Sequence, residues 1–431
     1  MLTHPFDPAR PDLCVIGAGT AGHAVALGAA ALGLRCTVVD PRPVLGAGQL
    51  ADLLELVATE AAARLEPDVI GDWNALARRA GTALARAAPD HGAARLRTLG
   101  VAVVTAAPRF AGPRTLLAGG MVIRARRFVL ATGTDALVGG SAMPGLMPDD
   151  VATPAQLLRG DAPARVAVLA GQPGALAWAQ VLARHGVRVT LALGPGAVGG
   201  VHAELADFAL AGLRRDGVEI RAAFEGADAR GSGLTLVFAC GRPATAGLDL
   251  VRAGVASDAQ GAPTVDGRLR TTNPRVLALG AVLGRPGSIP AEVGAVLRAV
   301  AAGLPFARPL PPAPVVLRTV PPVAQVGTLD GARLWRAPAA SGSPAGPALA
   351  MVATDARGRV VGAGIAGTGA AEAVGAAGLA VARRWPASEL VSLPCGGLAG
   401  DALRRAALAA TAERLRAPTV KRLIGLVQKL P

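Results

Sequence analysis

The stretch from Asp12 to Asp40 constrains this chain more than any other. Leu13 to Ile16 is a short, unbroken apolar run, followed by Gly17-Ala18-Gly19-Thr20-Ala21-Gly22. An Ala- and Leu-rich run from Ala24 to Leu34 predicts a helix, and Cys36 to Val39 predicts a second strand that closes on Asp40. Strand, glycine turn, helix and strand in that order make a βαβ unit, with GxGxxG spacing in the position a dinucleotide fingerprint requires. Gly17 permits the tight turn, Gly19 lets the backbone approach a pyrophosphate, and Gly22 lets the helix pack close to the strand. The helix N-terminus offers free N–H groups and partial positive charge to phosphates. Asp40 follows Gly17 by 23 residues, which suits a carboxylate that grips ribose hydroxyls.

Composition narrows the class. A chain of 431 residues has room for two or three domains, and 52% hydrophobic with 17% charged residues excludes a disordered chain. Tyrosine is absent and aromatics are only 3%, so stacking surfaces for nucleic acid are lacking and no nucleic-acid partner is expected. The net charge of +14 comes almost wholly from arginine, the only lysines being Lys421 and Lys429. Cys14, Cys36 and Cys240 sit in apolar, strand-like runs and read as small buried hydrophobes of a reducing compartment; Cys395 lies in a Gly-rich loop. There is no CxxC, no metal-ligand cluster and no signal-peptide layout, so a cytoplasmic location without metal is expected. The hydropathic stretches Cys14–Leu34 and Val360–Ala382 read as βα unit and strand plus helix rather than membrane spans.

Further along, Gln49–Leu65 and Asn74–Leu99 predict helices, Val101–Val104 a strand, Thr115–Phe128 a hairpin and Phe128–Ala131 a strand. A second βαβ pattern covers Arg165–Ala170, Leu176–His185 and Val187–Leu193, and helix Ala203–Asp216 precedes strand Val218–Ala222. Val276–Leu279 is a strand ending in Gly280, and Ala291–Gly303 a helix. Beyond a Pro-rich linker, Val315–Leu317, Ala348–Thr354 and Val360–Ile365 predict strands, and Ala370–Arg383 and Asp401–Leu415 helices. Val420, Leu423, Ile424, Val427 and Leu430 stand at helical spacing in a basic tail, which predicts docking on protein or a peripheral membrane contact.

The order Gly17–Gly22, Asp40, Ala131-Thr132-Gly133-Thr134, second βαβ unit, Cys240-Gly241-Arg242-Pro243 and Val276–Gly280 resembles the flavin-dependent pyridine nucleotide-disulfide oxidoreductases, the group of dihydrolipoamide dehydrogenase and mercuric reductase. The resemblance implies an α/β fold with two Rossmann-like FAD- and NAD(P)-binding domains plus a C-terminal α+β dimerisation domain, hence a homodimer. Residues 1–150 and 273–304 would form the FAD-binding domain, 151–272 an NAD(P)-binding-like domain, and 305–431 the dimerisation-like domain with its basic tail. It implies FAD contacts at Gly17, Ala18, Gly19, Thr20, Ala21, Gly22 and Asp40, at Ala131, Thr132 and Gly133, and at Gly280 and Ala281.

Against the family pattern the chemistry is depleted. No cysteine lies between Cys36 and Cys240, where the CxxxxC redox disulfide belongs; aligning Gly46-Ala-Gly48 with the family's Gly-Gly-Thr puts Gln49 and Leu54 in its place. No lysine precedes Lys421, no histidine follows His202, and aligning the family's C-terminal Glu on Asp401 puts its His on Gly396. The second glycine motif reads Ala170-Gly-Gln172-Pro-Gly-Ala175, its strand-end acid falls on Leu193, and the flavin-side Glu on Ala177. That argues against NAD(P)H binding in the usual mode, unless Gly171 and Gly174 serve the turn in a shifted register. The family's Gly-Asp reads Gly280-Ala281. Cys240 replaces a threonine, and Cys395, without a base, reads as inert. His23 reads as a packing or capping residue, and His185 and His202 as helix-surface or loop residues. The expectation is a FAD-binding oxidoreductase-like protein without disulfide chemistry, passing electrons by flavin alone to an unknown acceptor or partner. The alternative is a catalytically inactive family member acting as a binding or assembly subunit. No catalytic residue is assigned.

Overall fold

The computed structural model describes residues 6–41, 47–65, 69–87, 92–136, 151–171, 173–194, 197–221, 235–238, 241–285, 287–302, 310–331, 333–338, 348–393 and 396–416. In chain order the elements begin with β1 (Leu13–Ile16), α1 (Thr20–Ala31), β2 (Cys36–Val39), α2 (Ala47–Ala63), α3 (Trp73–Ala87), α4 (Ala93–Thr98) and β3 (Ala102–Val104). There follow β4 (Pro108–Gly112), β5 (Thr115–Ala118), β6 (Met121–Ile123), β7 (Arg127–Leu130), β8 (Thr134–Ala136), β9 (Val151–Ala152) and α5 (Pro154–Leu157). Next come β10 (Arg165–Ala170), α6 (Gly174–Arg184), β11 (Arg188–Leu193), α7 (Ala203–Arg215), β12 (Glu219–Arg221), β13 (Thr235–Phe238), β14 (Gly241–Pro243), β15 (Val276–Ala278) and α8 (Ile289–Ala302). The last are β16 (Val315–Leu317), β17 (Val323–Gly327), β18 (Arg333–Pro338), β19 (Leu349–Thr354), β20 (Val360–Ala366), α9 (Ala370–Arg383), α10 (Ala387–Val391) and α11 (Gly397–Leu415).

The chain divides into two compact units. The first comprises Met1–Ala58, Asp72–Pro163 and Glu225–Leu310. Its centre is a parallel sheet in the order β15-β7-β1-β2-β3. A strand covered on both faces must be apolar throughout, and Leu13, Cys14, Val15 and Ile16 are all buried. Full burial of a side chain as large as Leu13, Ile16 or Phe128 contributes about 1.5–3 kcal/mol. Helices α1 and α8 pack together beside this sheet, and β4, β5 and β6 form an antiparallel meander. Phe110 of β4 meets Phe128 of β7 edge to face at 5.4 Å, which ties the meander to the sheet. Asp12 and Arg35, at the starts of β1 and β2, form a two-pronged ion pair that holds the Asp12 carboxyl below its usual range.

The second unit comprises Thr59–Gly71, Ala164–Phe224 and Pro311–Pro431. Here β10, β11 and β12 run parallel, with α6 following β10 and α7 following β11. Asp216 accepts from Arg184 Nε at 2.7 Å and from Gln180 Nε2 at 2.6 Å, while Gln180 also donates to the Val320 carbonyl at 2.8 Å. An antiparallel sheet β16-β17-β20-β19-β18 carries α9 and α11. The expected α/β class, with parallel Rossmann-like regions and a C-terminal α+β part, is the fold observed.

Several local expectations need correction. Helix α1 begins at Thr20, inside the fingerprint, not at Ala24. Asn74–Leu99 is two helices, α3 and α4. β17 and β18 were not expected, and α11 begins at Gly397. His185 is buried, at the C-terminal cap of α6, with Nδ1 2.7 Å from the Val181 carbonyl oxygen. His202 is the N-cap of α7, and its Nδ1 accepts from the Glu204 N–H at 3.3 Å. The stretch Val360–Ala382 is β20 plus α9 as expected, and no described helix is long and apolar enough to cross a membrane. The basic tail from residue 417 lies outside the described residues.

Candidate dinucleotide site

The site residues of the first unit gather where four neighbouring parallel strands end: Gly17 after β1, Asp40 after β2, Ala131 after β7 and Gly280 after β15. The C-terminal edge of such a sheet is where ligands of open α/β folds bind. Backbone bonds fix the loops there. Gly17 N–H donates to Val39 O, Ala131 N–H to Ile16 O and Leu279 N–H to Leu130 O.

Gly17 has φ +102°, and a side chain there would strike the Ala131 carbonyl, with the Ala131 carbon at 2.7 Å and Thr132 Cα at 2.9 Å. A Cβ on Gly22 would overlap the Gly17 carbonyl oxygen. Gly19 differs, since nothing among the described residues lies within 4 Å of where its Cβ would be. It is the N-cap of α1, whose first turn carries no side-chain cap, so among the described residues the helix opens with its N–H groups forward and uncovered. Gly133, at φ +74°, likewise has no described residue within 4 Å of its Cβ position. Ala18, Ala21 and Gly22 are buried behind this opening, and Thr20 is partly exposed. Among the described residues, Thr132 Oγ1 is buried without a hydrogen-bond partner, a polar atom at the mouth of the glycine turn. A polar ligand would satisfy it. The half-buried Asp40 carboxylate accepts from the Ala18 N–H at 2.6 Å, which braces the turn and was not foreseen from spacing.

On the other flank, Gly280 (φ +77°) starts a 3₁₀ turn, Gly280–Leu283, in which Ala281 is exposed and Val282 buried. Its N–H donates to Glu292 Oε2 at 2.7 Å. Sequence reasoning missed Glu292; the available signal was a lone acid in the otherwise apolar start of α8. His23 is buried in α1, as a packing residue should be.

In the second unit, β10 runs through Ala170, paired with Leu193. Ala175 and Ala177 of α6 are buried, and no acid stands in its first turn. Whether the motif is counted from Ala170 or Gly171, the strand-end position is Leu193 or Gly194, neither an acid. Gln172, Cys240 and Cys395 lie outside the described residues. Leu54 is a buried core residue, and Asp401 pairs with Arg404. Among the described residues no cluster of His, Cys, Asp and Glu could hold a metal.

Cys14 and Cys36 are free thiols of β1 and β2. Burial pushes Cys14 well up, and Cys36 up to about 12. Because the thiolate is the reactive form, both are expected to resist alkylation in the native protein at pH 8 and to react fully in denaturant. Peptide mapping after iodoacetamide checks this, and native labelling of either residue would contradict the burial.

This geometry defines a dinucleotide-type α/β fold. The chain belongs to the pyridine nucleotide-disulphide oxidoreductase family, whose pattern matches residues 11–295. Among solved structures it is similar to the HOCl-induced flavoprotein disulfide reductase RclA from Escherichia coli, at 19% identity, TM-score 0.72, over 92% of this chain and 99% of that one. It is similarly close to the Cu(II) complex of RclA from Escherichia coli, at 19% identity, TM-score 0.72, over 91% and 98% of the two chains. No curated protein sequence matches it.

Proposed function

We propose that this protein binds FAD in its first unit and is an oxidoreductase whose electron transfer uses the flavin alone, without a redox disulfide. The observation that carries the reading is the open, uncapped α1 N-terminus at Gly19, flanked by the unpartnered Thr132 Oγ1 and the Asp40 carboxylate. These residues fit a dinucleotide: Gly19 and the α1 amides would receive the pyrophosphate, Asp40 the ribose, and Thr132 a polar atom of the cofactor. FAD would supply the redox chemistry. The chain's own part is to bind and orient the cofactor and exclude water with the apolar wall of Ala18, Ala21 and Val282. Family membership supports FAD, and the absence of cysteine between Cys36 and Cys240 supports flavin-only transfer. The domain reading, with FAD-binding segments 1–150 and 273–304, an NAD(P)-binding-like segment 151–272 and a homodimerising segment 305–431, goes with this proposal, as does a cytoplasmic location.

The purified protein is expected to show flavin absorbance near one FAD per chain. Protein that is colourless and stays so after incubation with FAD would refute the proposal. The joint loss of the disulfide, its lysine and the C-terminal histidine favours a second reading, an inactive binding or assembly subunit. A yellow protein that no quinone, oxygen or reduced nicotinamide turns over would establish that one.

A further inference from the structure

Glu292 is the only carboxylate among the buried polar residues described, 2% exposed. A buried charge survives only with partners. Its partners among the described residues lie on the short segment between β15 and α8. Oε2 accepts from the Gly280 N–H at 2.7 Å, and Oε1 stands 3.6 Å from Arg285 Nη1. A side chain on Gly287 would collide with the same carboxylate, the Glu292 Cδ lying 3.0 Å from its Cβ position. Gly280 in turn is lodged against the fingerprint helix, its Cβ position only 3.0 Å from Ala21 Cβ. Ala281, which follows it, is exposed at the candidate cofactor site and carries no polar atom of its own.

We infer that Glu292 is a positioning residue for the dinucleotide: by holding the Gly280 amide, at φ +77°, it fixes the entry to the 3₁₀ turn at 280–283 as one wall of the site. The turn has no carboxylate at 281 to anchor it to a ligand, so its conformation depends on α8. A charge-assisted hydrogen bond to a buried N–H is among the stronger single contacts a chain can make. The neighbours of Gly280 are held by the Leu279 N–H to Leu130 and Gly284 N–H to Ala281 backbone bonds and by the buried Val282, but the Gly280 amide itself, at φ +77° and packed on Ala21, is held by Glu292. The inference rests on the FAD reading and deepens it.

The test titrates FAD into flavin-stripped wild type, E292Q, E292A and E292D, following flavin fluorescence, and records the melting temperature of each stripped protein. Glutamine keeps an acceptor for the Gly280 N–H and is expected to bind FAD within about threefold of wild type, whereas E292A is expected to bind about tenfold more weakly. If E292A does not fold, E292D, one methylene too short to reach Gly280, is expected to show the same loss. A merely structural glutamate would lower the melting temperature of the stripped protein and leave FAD affinity unchanged, which would overturn the inference while the FAD reading stood. Failure of wild type itself to bind FAD would overturn both.

Discussion

Gly22→Ala is expected to cost both the fold of the first unit and its cofactor, whereas Gly19→Ala is expected to cost the cofactor alone. A methyl group on Gly22 meets the Gly17 carbonyl oxygen, with the Gly17 carbon at 3.0 Å and Ala131 Cβ at 3.3 Å. Two of these atoms are backbone, and they belong to a turn already held by the Gly17 N–H to Val39 bond. The helix must therefore move off β1 or the turn must open. Forced overpacking of this kind typically costs about 1–3 kcal/mol, and breaking the turn's bonds adds to it. Typical domain stabilities are only about 5–15 kcal/mol, so a melting-temperature drop of many degrees follows. At Gly19 a methyl meets nothing within 4 Å among the described residues, so the stripped protein should melt as wild type does. That methyl would occupy the space left for a pyrophosphate, so bound flavin should fall at least tenfold. Melting curves of stripped proteins together with flavin content check the pair. A Gly19→Ala protein that retains flavin, or a Gly22→Ala protein as stable as wild type, would refute this account of the turn.

What the sequence made legible follows from which forces were local. β1 and β2 could be bounded to the residue because strands buried on both faces are unbroken apolar runs. The start of α1 was placed four residues late because Thr20 and Gly22 are poor helix formers. Close packing of Gly22 on Gly17 outweighs that propensity. β18 was invisible because an edge strand tolerates Arg333, Arg336 and a terminal Pro338, which break any apolar alternation. β17 follows two prolines and carries Gln325, whose side chain accepts from the His202 N–H at 2.7 Å, a contact no local pattern contains.

The candidate site divides the same way. Gly17, Gly19, Gly22 and Asp40 were readable because a fingerprint is a local spacing. Glu292 was not, because its meaning lies in a bond to an amide 12 residues earlier. Nor was the brace from Asp40 to Ala18, which spans 22 residues and forms only once β1 and β2 are paired. His185 was misplaced for a related reason. Its position at a helix end suggested solvent, but a bond from its ring to the Val181 carbonyl lets it be buried.

The second large effect expected is a gain. Wild-type flavin is expected to stay oxidised when NADH or NADPH is added without oxygen, and Leu193→Asp is expected to raise nicotinamide nucleotide affinity about tenfold. The two βαβ units are built alike: β10 pairs with β11 in parallel as β1 pairs with β2, and Leu193 lies 23 residues after Ala170 as Asp40 lies 23 after Gly17. The first unit ends its second strand in a carboxylate, and the second unit does not. A hydrogen bond from a charged group contributes about 1.5–3 kcal/mol, which corresponds to about ten- to a hundredfold in affinity. The gain should fall at the lower end, because Gln172 still stands where the motif calls for glycine. Position 193 suits the test because Leu193 is only half-buried at a strand end, so an aspartate there can stay hydrated. Gly194 does not suit it, since its Cβ would lie 2.9 Å from the Ala170 carbonyl oxygen. Titration with each nucleotide, read by calorimetry on the stripped protein, measures the gain without relying on turnover. Unchanged affinity in Leu193→Asp would mean that the second unit differs from a nucleotide site by more than one missing acid. Rapid bleaching of wild-type flavin would mean that it never lost the function.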